Sequence, residues 1–190
     1  MSVWDVLKNT VSYELIIQAV GIIAMAFVIM SFQFKRVGMC FAVQLIGALL
    51  FTAHYAMIGA WGGCLLNALG AIQLSVMLLG DRAKKRSVLI GLISLYVCAT
   101  ALVIMTGWDS LLALLSGAAQ VAGVLGMWTR DDVKLRIVRL SFTSPSWLIY
   151  NSVKGSLGGV ICELFCISSI IVYFIRQNLK KRKGIPRVEK

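Results

Sequence analysis

The sequence predicts an all-α membrane protein: seven transmembrane helices, arranged as two parallel three-helix repeats joined by a linker helix (3+1+3), in a single membrane domain over residues 1–190. Three observations predict it. The first is composition: 59% of the residues are hydrophobic and only 14% charged, against about 25% charged and about 45–50% apolar in soluble domains. So much apolar surface is solvated only by lipid. The second is that basic residues sit in short blocks between apolar runs. The third is a weak internal repeat. The bilayer is therefore the expected partner. Nucleic acid is not, despite a formal net charge of +11, because positives confined to separators set topology rather than form a groove.

A span needs about 20 mostly apolar residues, and seven runs approach that length: 13–31, 39–57, 61–79, 87–106, 110–128, 137–152 and 157–175. Before the first run, Met1–Thr10 lacks a basic leader and no small-x-small cleavage pattern follows, so this helix is expected in the mature protein. Only Ile58–Ala60 separates the second run from the third, which predicts a tight hairpin. The segment GDRAKKR divides the third from the fourth, the linker, and TGWD follows it. The sixth run holds Ser141, Thr143, Ser144, Pro145 and Ser146. Hydroxyls bond back to their own helix and neighbours satisfy what proline frees, so a kinked span is expected there. After VKGS the seventh run completes the bundle, and residues 176–190 form a basic tail.

Charge orients these runs. With seven spans, every Lys and Arg except Lys8 and Lys154 falls on one side: Lys35 and Arg36, the Arg82–Arg86 block, the block from Arg130 to Arg139, and the tail. The positive-inside bias makes that side cytoplasmic, with the N-terminus outside and the C-terminus inside a bacterial inner membrane. Close to a surface of anionic lipid the tail gains roughly 1 kcal/mol per basic residue.

A shift of 96 residues lays GAWGGCLLN (59–67) on GSLGGVICE (155–163). Gly59, Gly62 and Gly63 fall on Gly155, Gly158 and Gly159, and Asn67 falls on Glu163. Upstream, Phe51 meets Trp147, His54 meets Tyr150 and Tyr55 meets Asn151. Residues 13–79 thus correspond to 110–175, with 87–106 between them. An odd linker span returns the second unit to the orientation of the first, so that the two face each other across a cavity along the membrane normal.

Polar groups inside the runs are the candidates for function. Glu163 is the only carboxylate well inside an apolar run, and Asn67 stands at the matching place, each about 8–9 Å below the turn at 1.5 Å per residue. A charge there costs several kcal/mol unless paired, protonated or wetted. His54, the single histidine, is either a proton site or a neutral partner to Glu163 or to a carbonyl. Trp147 and Asn151 are four apart on one helix face, where they either hold a solute or serve as a belt aromatic beside a packing amide. Gln18, Gln44, Gln73 and Gln120 read as helix glue. Gln73 lies about 120° around its helix from Asn67 and need not share its cavity. Trp4, Trp61 and Trp108 read as belt residues. The five cysteines, Cys40, Cys64, Cys98, Cys162 and Cys166, lie in apolar runs without a third ligand nearby, so no metal and no cofactor is expected. No GxSxG, HExxH, Walker loop or paired catalytic carboxylate occurs, and an enzyme is not expected.

At HYAMIGAWGGCLLNALG, WLIYNSVKGSLGGVICE and the closing GIPRVEK, the chain resembles the YgjV-like family of bacterial inner membrane proteins. That resemblance implies a location and no activity. WLIYN (147–151) before a glycine turn and NALGAIQ (67–73) after one are similar, more remotely, to motifs of the SWEET/PQ-loop transporter group. This likeness implies that Asn67 is a pocket amide and Trp147 a pocket aromatic. The chain departs from that group in lacking proline in the first and fifth runs and in carrying Glu163 where asparagine is expected. The resulting expectation is a transporter of a small polar solute, with His54, Asn67, Trp147, Asn151 and Glu163 lining a central cavity. The alternative is a non-transporting scaffold or receptor.

Overall fold

The computed structural model describes residues 3–34, 36–107, 110–129 and 131–182, and the side chains of residues 3–10, 81, 84, 110, 132 and 180–182 stand outside that description. Lys35, Trp108, Arg130 and the GIPRVEK tail lie outside the described residues, as do the side chains of Trp4 and Lys8.

Every regular element described is helical: α1 (Val3–Ser31), α2 (Val37–Met57), α3 (Trp61–Met77), a 3-10 segment (Gly80–Lys84), α4 (Arg86–Met105), α5 (Ser110–Trp128), α6 (Asp132–Val138), a π-helical segment (Arg139–Thr143), α7 (Ser144–Lys154) and α8 (Leu157–Arg182). The sixth rod is continuous from α6 through the π segment into α7. Among the described residues, five helices are long and apolar enough to cross a membrane: Val11–Ser31, Val37–Met57, Arg86–Met105, Leu111–Trp128 and Leu157–Leu179. The shorter α3, at 17 residues, reaches about 26 Å. Large apolar side chains such as Leu15, Met105 and Leu111 face outwards, as the flanks of a lipid-solvated bundle must.

Two of these elements differ from their expected form. The sixth run, expected over 137–152, is a rod that begins at Asp132. Its start is capped by Asp131, whose Oδ1 accepts from the N–H groups of Val133 (2.9 Å) and Lys134 (3.1 Å). Pro145 lacks an N–H and its ring crowds the carbonyl four residues back. The π segment widens the helix just ahead of that point, so the rod continues without a break. At the other end of the chain, α8 runs through Arg176 to Arg182, so the first part of the basic stretch is helix rather than tail.

The two glycine turns are built alike. Gly59 and Gly155 both have φ +70°, the left-handed region that glycine enters without a Cβ penalty. Past each of them the same bonds recur. Ala60 N–H donates to Tyr55 O (2.8 Å) and Ser156 N–H to Asn151 O (3.0 Å), while Cys64 N–H donates to Ala60 O and Val160 N–H to Ser156 O, both at 2.9 Å. These turns mark one end of the bundle, hereafter the turn end; the 3-10 segment and α6 lie at the opposite, basic end.

Small residues bring the helices together. A Cβ on Gly158 would strike the backbone of Gly21, seating α8 directly on α1, and one on Gly117 would strike Thr100 where α5 meets α4. In lipid such close backbone approach replaces the hydrophobic drive that water supplies elsewhere. Around the bundle α1 packs on α2 and α8, while α3 packs on α2, α4 and α5.

Candidate functional site

At the turn end, side chains from both hairpins lock together. Tyr55 Oη donates to Asn151 Oδ1 at 2.5 Å, and the N–H of Gly63 donates to Tyr150 Oη at 2.5 Å. Gly63 is required for that approach, since a Cβ there would lie 2.7 Å from Tyr150 Oη. Around these bonds the rings of Phe51, Tyr55, Trp147 and Tyr150 form one cluster, with centroids 5.9 Å apart for Phe51–Tyr55, 6.2 Å for Tyr55–Trp147 and 5.4 Å for Trp147–Tyr150. Tyr55, Trp147, Tyr150 and Asn151 are all buried.

On the basic side of this aromatic plug lies a cavity of about 210 Å³, roughly seven waters' worth of liquid volume. It runs from Tyr55 and Asn151 to Gln44, Met127 and Leu135, with walls from α1, α2, α3, α5, the sixth rod and α8. Asn67, Trp147, Asn151 and Glu163 all line it. Asn67 bonds back to its own helix, Nδ2 donating to Gly63 O at 3.1 Å. Glu163 projects from α8 toward Arg139, Cys166 and Ser144.

His54 is not part of this lining, contrary to expectation. It is fully buried between α1, α2 and the start of α8. Its Nδ1 donates to Ile17 O at 2.9 Å, and Ser156 Oγ lies 2.8 Å from Nε2. Because a carbonyl only accepts, Nδ1 carries the hydrogen and Nε2 is left to accept from Ser156. Ser156 Oγ in turn accepts from the N–H of Gly159 at 3.2 Å, capping α8. The imidazole is a tie between three helices. Gly21 gives it room, since a Cβ there would lie 2.9 Å from Cε1.

Several cavity residues escaped the sequence reading. Arg139, counted there only as a topological positive, lies in the π segment and lines the cavity, with Nη2 donating to Cys166 Sγ at 3.4 Å and its guanidinium 5.8 Å from the Phe32 ring centroid. The available signal was its place inside the sixth apolar run, where a cation is as expensive as Glu163 is. Gln73 also lines the cavity, so the separation of about 120° from Asn67 around α3 does not part them; Gly70, between the two, opens that face. Gln73 accepts from Tyr96 Oη at 2.8 Å and donates to Met127 Sδ at 3.2 Å. Tyr55 was legible only as the repeat partner of Asn151.

An all-helical bundle with apolar flanks and a polar, charged cavity defines a multi-pass integral membrane protein. A family model described as Imp-YgjV, bacterial inner membrane protein, matches residues 15–181, and the chain belongs to that family. No curated protein and no solved structure matches it.

Proposed function

We propose that this chain is a seven-span inner membrane transporter that moves a small polar solute through the cavity between two three-helix units. The observation that carries the reading is that one cavity collects Asn67 and Glu163, the two positions equated by the repeat, together with Arg139, Trp147 and Asn151. Isolated packing amides would scatter over many interfaces. A carboxylate and a guanidinium on the same wall balance each other, which suits an uncharged or zwitterionic solute small enough for about 210 Å³. The aromatic faces of Tyr55 and Trp147 suit its carbon skeleton.

The two-unit arrangement has local support. Tyr55 and Asn151, 96 residues apart, bond directly to each other, as equivalent residues beside a two-fold axis do. The pairing of α1 with α8 has its counterpart in that of α5 with α3. In this reading the turn end is external and closed by the aromatic plug, and the cavity extends toward the cytoplasmic, basic end. The arrangement resembles that of the SWEET group.

Reconstituted proteoliposomes test it with radiolabelled sugars, polyols and neutral amino acids. Uptake of one class above empty vesicles is expected, with a loss of at least about tenfold in Glu163→Gln, where a hydrogen bond to a charged group contributes about 1.5–3 kcal/mol, and of about two- to tenfold in Asn67→Ala, where a neutral one contributes about 0.5–1.5 kcal/mol. Uptake absent from every class, or unchanged by both substitutions, rejects transport. One observation favours a non-transporting scaffold: Asn151 and Gln73 already have partners within the protein. On that reading the variants lose thermal stability and no flux is detected.

A further inference from the structure

A second concavity, of about 610 Å³, opens on the flank of the bundle between α6 and the later turns of α8. Here α8 contributes Phe165, Ser169, Val172 and Arg176, which follow one face at helical spacing, and α6 contributes Arg136. From Leu157 to the residue before Arg176, α8 carries one charged residue, Glu163, over a length of about 28 Å. That matches a hydrocarbon core of about 30 Å. Arg176 therefore stands where the core ends and the headgroups begin, and the groove runs from that level back into the apolar zone.

The groove's chemistry is divided accordingly. Phe165 on its deep part and Val172, one turn from Arg176, are exposed apolar side chains. Arg136 and Arg176 flank its shallow part, and Ser168 and Ser169 lie on α8 between Val172 and Phe165. Neither guanidinium makes an ion pair among the described residues. Arg136 is held with Cζ 4.1 Å from the centroid of the Tyr173 ring, a cation–π contact that fixes the plane of the fork. Its Nε is buried and has no hydrogen-bond acceptor, an unusual condition for a buried donor. Two cations, one of them oriented and under-satisfied, at headgroup depth above an apolar trough complement one kind of molecule.

We propose that this groove is a binding site for an anionic phospholipid, with the phosphodiester held by Arg136 and Arg176 and one acyl chain running inward past Val172 to Phe165. Arginine forks match phosphate oxygens in pairs, and basic pockets between helices at this level suit such headgroups. The site faces lipid, is separate from the central cavity, and does not depend on transport.

Native mass spectrometry of the full chain released from detergent, after addition of phosphatidylglycerol or phosphatidylcholine, tests the assignment. One phosphatidylglycerol retained per chain, with about tenfold preference over phosphatidylcholine, is expected. The doubly substituted Arg136→Gln, Arg176→Gln chain should lose that preference, while Arg82→Gln, a basic residue elsewhere at the same end, should keep it. Should Arg136→Gln not fold, Arg176→Gln alone, at an exposed position, reads out the same loss. Equal retention of the two lipids, or undiminished preference in the Gln variants, overturns the proposal. So does equal protection against heat by millimolar inorganic phosphate, which would make this a free-anion site.

Discussion

At the scale of single residues, burial and partners separate the polar groups that hold the protein together from those that face space. His54 belongs to the first kind. His54→Ala removes its bonds to the carbonyl of Ile17 and the hydroxyl of Ser156, each contributing about 0.5–1.5 kcal/mol, and leaves a buried cavity. A marked drop in thermal midpoint is expected in detergent, read by intrinsic fluorescence, with residual folded protein keeping its cavity chemistry. An unchanged midpoint would show that the tie is redundant. Tyr55→Phe tests the opposite face of the same region: it removes the bond to Asn151 while keeping the ring, so a loss of about 0.5–1.5 kcal/mol is expected. Glu163 and Arg139 are the second kind, a carboxylate and a guanidinium facing one cavity. Sequence alone singled out Glu163 because no other acid lies so far inside an apolar run. It hid Arg139 because a basic residue near a separator looks like a topology signal, and only the continuous rod from α6 to α7 carries it into the bundle.

At the scale of elements, the glycine hairpins were the most legible feature and the sixth rod the least. A left-handed glycine followed by a paired-glycine step is a local pattern, and the two copies form the same turn bonds. The close approach of α8 to α1 follows from Gly158, but the partner backbone, Gly21, is far away in sequence and invisible there. Gly158→Ala places a methyl against backbone that cannot rotate aside, so overpacking of about 1–3 kcal/mol is expected. Gly38→Ala, which meets nothing within 4 Å, is the control and should match the parent in a thermal melt of both variants. The π segment could not be read from the sequence. Its local cause, Pro145, predicts a disturbed helix but not a widened turn, which forms where the segment packs against α5 and α8.

For the whole molecule, placing the turn end outside and the basic end in the cytoplasm is a claim about topology that labelling addresses. With the five native cysteines replaced, a membrane-impermeant maleimide added to intact cells should modify the Lys154→Cys chain and spare the Arg82→Cys chain. The reverse pattern would invert the bundle, and labelling of both or neither would contradict an odd number of crossings between them. On that claim the groove of Arg136 and Arg176 belongs to the inner leaflet, and an inverted bundle would put it in the outer one.

The sequence by itself determined that this is a multi-pass membrane protein of helices with paired glycine turns, because lipid solvation demands apolar runs and a left-handed turn demands glycine. Both demands are met by neighbours along the chain. Which polar residues share a cavity was decided only by tertiary structure. Asn67, Arg139 and Glu163 meet, and His54 is drawn aside into a three-helix tie, through the rotation and depth of helices far apart in the chain. Close packing at small residues sets those quantities, and hydrophobicity does not.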